Sequence, residues 1–351
     1  MKEKNKFRKK IYFVRANKTK FGGAELYLSR VSCYLDEKKV NHEVINSIFP
    51  RFLPSWIKVI LFNAQVMIIK KNKFYFALDR ILFPDIYRAG DGVHKTFLDT
   101  VKKNKFNPLH ALYLFIEKRS FKNSTKIIAI SEMVKNNIID VYGVKEDKIH
   151  VIYNGIELKN YNYQISYEKL NQEFSISKEI PIILFVGSGF KRKGVEEFLY
   201  IISKLENKNF LAFVIGKEKK IDFYKNLAKS LKVNSKVIFT GPREDVDDFF
   251  TISDIFLFPT HYEPFGSVML EAMNLKNAVF TTKQCGASEL LESEYVMKNP
   301  ADYRVINKID ELLFNNKSLN QVKEKNRNIS KNFSLQKNLQ QTLKLIDEVI
   351  N

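Results

Sequence analysis

Two doubly wound α/β domains, each built on a parallel sheet and together facing a cleft, are what this 351-residue chain predicts. Three observations carry that reading. The length exceeds that of a typical single domain. Short apolar strand runs alternate with helical patterns at βαβ spacing. The pattern then restarts at Pro181 with a second buried-strand run, PIILFV, so two sheets and a cleft between them follow.

The first unit opens with a strand at 11–15. A loop ending in Gly22-Gly23 leads into a helix over about 24–35. Strand-like stretches recur at 42–46, 126–130 and 150–153, with helical patterns between them. One such pattern covers 132–142 behind Ser131, whose hydroxyl suits an N-cap. The polar stretch 157–179, rich in Tyr, Asn and Ser, reads as an inter-domain linker. In the second unit the strand at 181–186 runs into Gly187-Ser188-Gly189-Phe190-Lys191-Arg192-Lys193-Gly194, and a helix starts near Val195. Strands follow at 210–215, 236–239, 255–258 and 278–281. Helical segments fill the gaps at about 221–231, 244–252 and 266–275.

Composition bounds the function. Hydrophobic residues make up 45% and charged residues 28%, which is globular. Cys33 and Cys285 stand far apart and offer no disulfide framework. The five histidines show no metal-ligand spacing, so no metal site is expected. No apolar run reaches the roughly 18 residues of a membrane span, and the run at 11–14 is too short for a signal peptide. A cytoplasmic, reducing location is the expectation. The net charge is +19, and residues 1–180 carry 33 Lys+Arg against 18 Asp+Glu. A basic first half calls for an anionic partner: nucleic acid, anionic lipid or a phosphorylated substrate.

The most informative run is IFLFPTHYEPFGSVMLEAMN at 255–274. A strand ends at Pro259, a polar loop follows, and Gly266-Ser267 opens a helix. A helix start exposes backbone N–H groups and a positive dipole end, which suit a diphosphate. Glu263 and Glu271 frame it, and a carboxylate grips vicinal hydroxyls. Glu271 lies about 9 Å up the helix from Phe265. Sugar, diphosphate and ribose in series match that spacing, so a nucleotide sugar is the implied ligand. The loop at 187–194 sets three cations beside the carboxyl end of a strand, where Arg and Lys hold phosphate. It lacks the GxxxxGK[ST] pattern of a Walker A loop. Asp245-Val246-Asp247 reads as a helix start, not a metal site. In Arg88-Ala89-Gly90-Asp91-Gly92-Val93-His94, both Asp91 and His94 are candidates to meet the transferred sugar or the acceptor.

These motifs resemble the retaining glycosyltransferases of family 4, whose GT-B fold has two Rossmann-like domains. The resemblance rests on GGAE at 22–25, AISEMVK at 129–135, VIYNGIE at 151–157, VGSGFKRKG at 186–194, SDIFLFPT at 253–260 and EPFGSVMLE at 263–271. Within the family the chain looks most like lipopolysaccharide core glucosyltransferases acting on inner-core heptose, through VGSGFKRKGVE, RAGDGVH and TTKQCGAS at 281–288. The resemblance implies an acceptor domain over 1–165, with a helix at about 335–351 packing back on it, and a nucleotide-sugar domain over 166–334. It assigns Glu263 to the transferred hexose, Glu271 to the ribose, and Arg192 and Lys193 to the diphosphate. Phe265, Gly266, Ser267 and Val268 supply backbone N–H groups. Gly22 and Gly23 form the glycine loop of the acceptor domain, and Asn154-Gly155 a turn near the hinge. Many members carry a His near the transferred sugar; here Asp91 is the expected equivalent in the nearest subgroup and His94 the other candidate. The resemblance further implies a UDP-sugar donor with no cofactor or catalytic metal, a lipid-linked core oligosaccharide acceptor, and an enzyme peripheral on the cytoplasmic face of the inner membrane. Basic residues between 93 and 122, and Trp56, Ile57, Ile60 and Leu61 before Lys70-Lys71, suit docking on that anionic surface. Nucleic-acid binding is the competing class, and the basic half shows no recognised motif for it.

Overall fold

The computed structural model describes residues 9–18, 23–50, 52–101 and 107–350. They form two units: residues up to Tyr153 together with Gln336 onward, and Asn154–Leu335.

In the first unit the elements run β1 (Ile11–Val14), α1 (Gly23–Glu37), β2 (His42–Ile45), α2 (Ser55–Lys70), β3 (Phe74–Ala77), β4 (Ile86–Ala89), α3 (His94–Thr100), α4 (Pro108–Asn123), β5 (Lys126–Ala129), α5 (Glu132–Tyr142) and β6 (Ile149–Val151). Every described pairing is parallel, in the order β2-β1-β3-β4-β5-β6. A parallel sheet is covered on both faces, so its central strands are buried along their length. All four residues of β3, FYFA, are buried, as are those of β4. The Ser131 hydroxyl accepts from the Val134 N–H at 3.1 Å and caps α5, and Gly143 ends that helix at φ +61°.

The second unit contains α6 (Tyr163–Phe174), β7 (Ile182–Val186), α7 (Phe190–Lys193), α8 (Val195–Lys204), β8 (Leu211–Ile215), α9 (Ile221–Ser230), β9 (Val237–Gly241), α10 (Val246–Ile252), β10 (Ile255–Phe258), α11 (Ser267–Asn274), β11 (Ala278–Thr282), β12 (Val296–Met297), α12 (Val305–Phe314) and α13 (Asn316–Ser330). Its parallel sheet runs β12-β11-β10-β7-β8-β9. Strand order reverses between β7 and β10. At such a switch point the loops leaving the two carboxyl ends part and open a crevice. In the first unit the reversal lies between β1 and β3.

The final helix, α14 (Leu335–Ile350), joins the first unit. The Asn338 amide donates to Tyr153 O at 2.5 Å, and Thr342 meets the Tyr27 hydroxyl at 3.3 Å.

The stretch expected as a linker is ordered structure. Residues 163–174 form α6, which packs on α10. Asp247 takes Lys159 at 2.5 Å and Tyr161 at 2.9 Å; Asp248 takes Lys169 at 2.6 Å and the Ser166 hydroxyl at 2.7 Å. These bonds draw 159–174 into the second unit, Asn154–Leu335. Asp245 pairs with Arg243 at 2.9 Å and Lys169 at 2.9 Å. The Asp245–Asp247 pair thus serves the helix start and its ion pairs.

Candidate active site

At the switch point of the second unit, β7 hands over to the Gly187–Gly194 loop and β10 to the Pro259–Gly266 loop. The first loop closes into the short helix α7, capped where Glu218 accepts from the Phe190 N–H at 3.0 Å. Gly194 ends it at φ +83°, and a Cβ there would lie 1.9 Å from Pro259 O. Only glycine lets the two loops approach this closely. The Arg192 carbonyl then accepts from the His261 N–H at 2.9 Å and the Thr260 hydroxyl at 3.1 Å.

That contact assembles the charges. Lys193 Nζ bonds Glu263 Oε2, and Arg192 donates to the same oxygen at 3.1 Å and to Tyr262 O at 2.8 Å. Burial alone would raise the Glu263 pKa, but Lys193 and Arg192 outweigh it and hold the carboxyl below its ordinary value. Glu263 is therefore an anion between two cations. Its backbone is pinned as well: its N–H donates to Gln284 O, and its carbonyl accepts from the Gly286 N–H, both at 2.9 Å.

Gly266 precedes α11 at φ +90°, and a Cβ there would meet Cys285 Sγ at 2.9 Å. Ser267 and Val268 form the first turn of α11, and the Ser267 hydroxyl accepts from the Asn154 amide at 3.2 Å. Glu271 lies one turn further along, half-buried. Buried Phe265 offers its carbonyl to the Cys285 thiol at 3.0 Å. Burial, then the charge of Glu263, pushes that thiol up to about 12, so it is a packing group and not a nucleophile.

The remaining sequence candidates belong to the first unit. Gly23 opens α1, and Gly22 lies outside the described residues. Asp91 follows β4 and is 59% exposed, 3.6 Å from the Arg80 guanidinium. His94 is 8% exposed, its Nε2 3.1 Å from His110 Nδ1. Glu117 holds this loop. It is fully buried and accepts from Arg80 Nε at 2.8 Å, the His94 N–H at 2.9 Å and the Tyr142 hydroxyl at 2.7 Å. Burial first, then the charge of Arg80 and the neighbouring His110, pushes His94 down to about 4, so it is neutral at pH 7. A cavity of about 570 Å³ opens at this unit's switch point, lined by Arg15, Lys18, Asp79, Arg80, Asp91 and Tyr113 among others. Arg15, just after β1, donates to Asp79 beyond β3 at 2.5 Å and to Glu25 of α1 at 2.8 Å.

Sequence reasoning missed Glu117, Arg80, Tyr262 and the bracing role of Cys285 and Gly286. Glu117 did carry a signal: it is the lone carboxylate in the apolar run ALYLFIE.

Residues 166–329 match the family profile described as glycosyl transferases group 1, and residues 74–160 that of Glycosyltransferase Family 4. The chain is 34% identical over 240 residues to the capsular polysaccharide biosynthesis glycosyltransferase CapM of Staphylococcus aureus, covering 64% of this chain and 60% of CapM. It is 31% identical over 182 residues to the lipopolysaccharide glucosyltransferase WaaG of Escherichia coli K12, covering 50% and 48%. The chain thus spans about half the length of the curated relatives it matches. A crystal structure of WaaG superposes with a TM-score of 0.80 at 20% identity, over 96% of this chain and 99% of WaaG. Anabaena HepE in complex with UDP and glucose does so with a TM-score of 0.74 at 18% identity, over 97% and 100%. The fold is GT-B. The segment 166–329 is thus similar to the group 1 glycosyl transferases, and the segment 74–160 to Glycosyltransferase Family 4.

The environment of His94 has a pH consequence. Its folded-state pKa lies near 4, below its ordinary 6.5. Between these values the unfolded chain binds a proton that the folded chain refuses. The stability tied to neutral His94 is present above pH 6.5 and lost as pH falls through 4. Ring NMR should show His94 unprotonated at pH 5.5, and His94→Gln should flatten the fall in urea midpoint between pH 7 and 5. A His94 ring that titrates near 6.5 contradicts this.

Proposed function

We propose that this chain is a retaining hexosyltransferase that moves glucose, or a related hexose, from a UDP-sugar to a sugar hydroxyl of a lipopolysaccharide or lipooligosaccharide core. The observation that carries the reading is the Arg192–Lys193–Glu263 cluster at the switch point beside the start of α11. Two cations beside one carboxylate leave a net positive charge. Cleavage of the glycosidic C–O bond puts negative charge on the departing diphosphate. Arg192, Lys193 and the amino end of α11 would stabilise that charge, an electrostatic mechanism that needs no metal. Glu263 would then face the hexose and Glu271 the ribose hydroxyls. Of the two first-unit candidates, Asp91 is the exposed one and the residue we assign to the transferred sugar; His94 is enclosed. Anabaena HepE, of like fold, holds UDP and glucose, and WaaG is a lipopolysaccharide glucosyltransferase; both support the donor and acceptor class. A capsular-polysaccharide acceptor is the second reading, favoured by the match to CapM. Product analysis with a panel of UDP-sugars and truncated core or capsule acceptors separates them.

Two glutamates test the donor site. Glu271→Ala removes a charge-assisted bond to ribose worth roughly 1.5–3 kcal/mol, so UDP affinity should fall about 10- to 100-fold. Glu263→Ala removes a carboxylate that competes with diphosphate for two cations. UDP affinity should stay within about threefold while turnover falls about 10²-fold. Calorimetry with UDP and turnover in the presence of a chelator read both; equal loss of UDP binding in the two variants sinks the assignment.

We also propose reversible docking on the cytoplasmic leaflet. No helix among the described residues is long and apolar enough to cross a membrane. Instead α2 leaves Trp56, Ile60, Met67 and Ile68 exposed by 44–73% along one stripe. On α4 only Phe115 is comparably open among the large apolar residues, beside exposed Lys118, Arg119 and Lys122. Lys70 is engaged by Asp85 at 2.7 Å, so Lys71 is the cation left to that end of α2. Lys102, Lys103, Lys105 and Phe106 lie outside the described residues. Co-sedimentation with anionic vesicles should weaken with salt and in W56S/I60S. Equal binding to neutral and anionic vesicles, or none to either, would rule this out.

A further inference from the structure

A second concave site of the first unit lies at the amino end of its sheet, opposite the Arg15–Asp79 crevice. A cavity of about 480 Å³ opens where Lys126 begins β5, beside the last turns of α4 and α5. Lys118, Lys122, Lys126, Lys145 and Lys148 line it, and Asp147 is the one carboxylate in the lining.

Local structure accounts for two of the lysines. Lys148 donates to Phe121 O at 2.9 Å and Lys122 O at 2.7 Å, the last carbonyls of α4. Lys126 donates to Asp147 O at 3.1 Å. The other three are exposed, and among the described residues none of their ammonium groups has a hydrogen-bond partner or a carboxylate at ion-pair distance. The adjacent Glu146 is taken by Lys135 at 2.6 Å. Attraction to a helix carboxyl end explains Lys122, which sits in the last turn of α4. It does not explain Lys118, a turn earlier, or Lys145, which lies beyond the end of α5.

Ammonium groups facing one concave volume repel each other until an anion sits among them. Lys is a point charge with three rotating donors, so several of them suit a tetrahedral, many-oxygen anion better than a planar carboxylate. We propose that this lysine-lined cavity binds a phosphate-bearing anion, at a site separate from the Arg192–Lys193 loop. A soluble phosphate and an anionic lipid headgroup share that chemistry. The inference stands independently of the proposed transfer reaction.

Inorganic pyrophosphate is the probe, titrated calorimetrically into the full chain with UDP saturating, which masks any binding at Arg192 and Lys193. One pyrophosphate per chain should still bind, more weakly as salt rises. In K118A/K122A/K145A that affinity should fall about tenfold or more, with thermal midpoint and UDP affinity unchanged. Vesicles of phosphatidylglycerol in phosphatidylcholine then identify the source. Release of the chain by pyrophosphate, with vesicle binding lost in the triple variant, marks a lipid headgroup. Vesicle binding unchanged in that variant marks a soluble phosphate. Absence of UDP-insensitive pyrophosphate binding, or equal binding by the triple variant, overturns the proposal.

Discussion

The clasp of Glu263 by Lys193 and Arg192 is the interaction on which the second unit's site depends. A carboxylate this enclosed would take up a proton without compensation. Two cations keep it charged, and each must be delivered by a backbone with little freedom. Gly194 lets the cation loop lie on Pro259, and Gly266 lets the turn into α11 lie on Cys285. The 284–286 segment fixes Glu263 from the other side through two backbone bonds. Parallel topology brings the parts together. β7 and β10 are hydrogen-bonded neighbours at the point of reversal, so residues 70 positions apart meet beyond their carboxyl ends.

The first unit uses a carboxylate the same way. Glu117 is buried among apolar residues of α4 and collects donors from Arg80, the start of α3 and Tyr142. Stripped of these it would be an uncompensated buried charge. Held, it turns Arg80 toward Asp91 and Gly92 and leaves the Asp91 carboxylate open to solvent. His94 is enclosed by the same arrangement. The difference between the two candidates is therefore one of access: one side chain is presented and the other packed.

Much of this architecture was legible in the sequence because its signals are local. Alternating strand and helix runs, the Ser131 cap and the helix start at Asp245 each depend on neighbouring residues. The IFLFPT and PIILFV runs are long enough to read as buried strands. β3 and β4 were not read, since a buried four-residue strand has no period of its own and FYFA sits inside a mixed run. The GFKRKG loop hid a single helical turn for the same reason. Residues 157–179 looked like a linker because they are polar, yet their polarity is spent on the acids of α10. At the site, Glu263, Arg192 and Lys193 were each nameable from their motifs. Their mutual contact was not, and neither was the support from Cys285 and Glu117, because such pairings arise only when distant segments are packed together.

Hydrogen exchange across the chain with and without UDP tests the central claim most directly, that the nucleotide end of the donor is held where the 187–194 loop meets the 259–267 loop and α11. Saturating UDP should slow exchange in peptides covering 187–194 and 262–272, with the largest protection at Gly266–Val268. Protection absent from both segments, or confined to the first unit, would contradict the account.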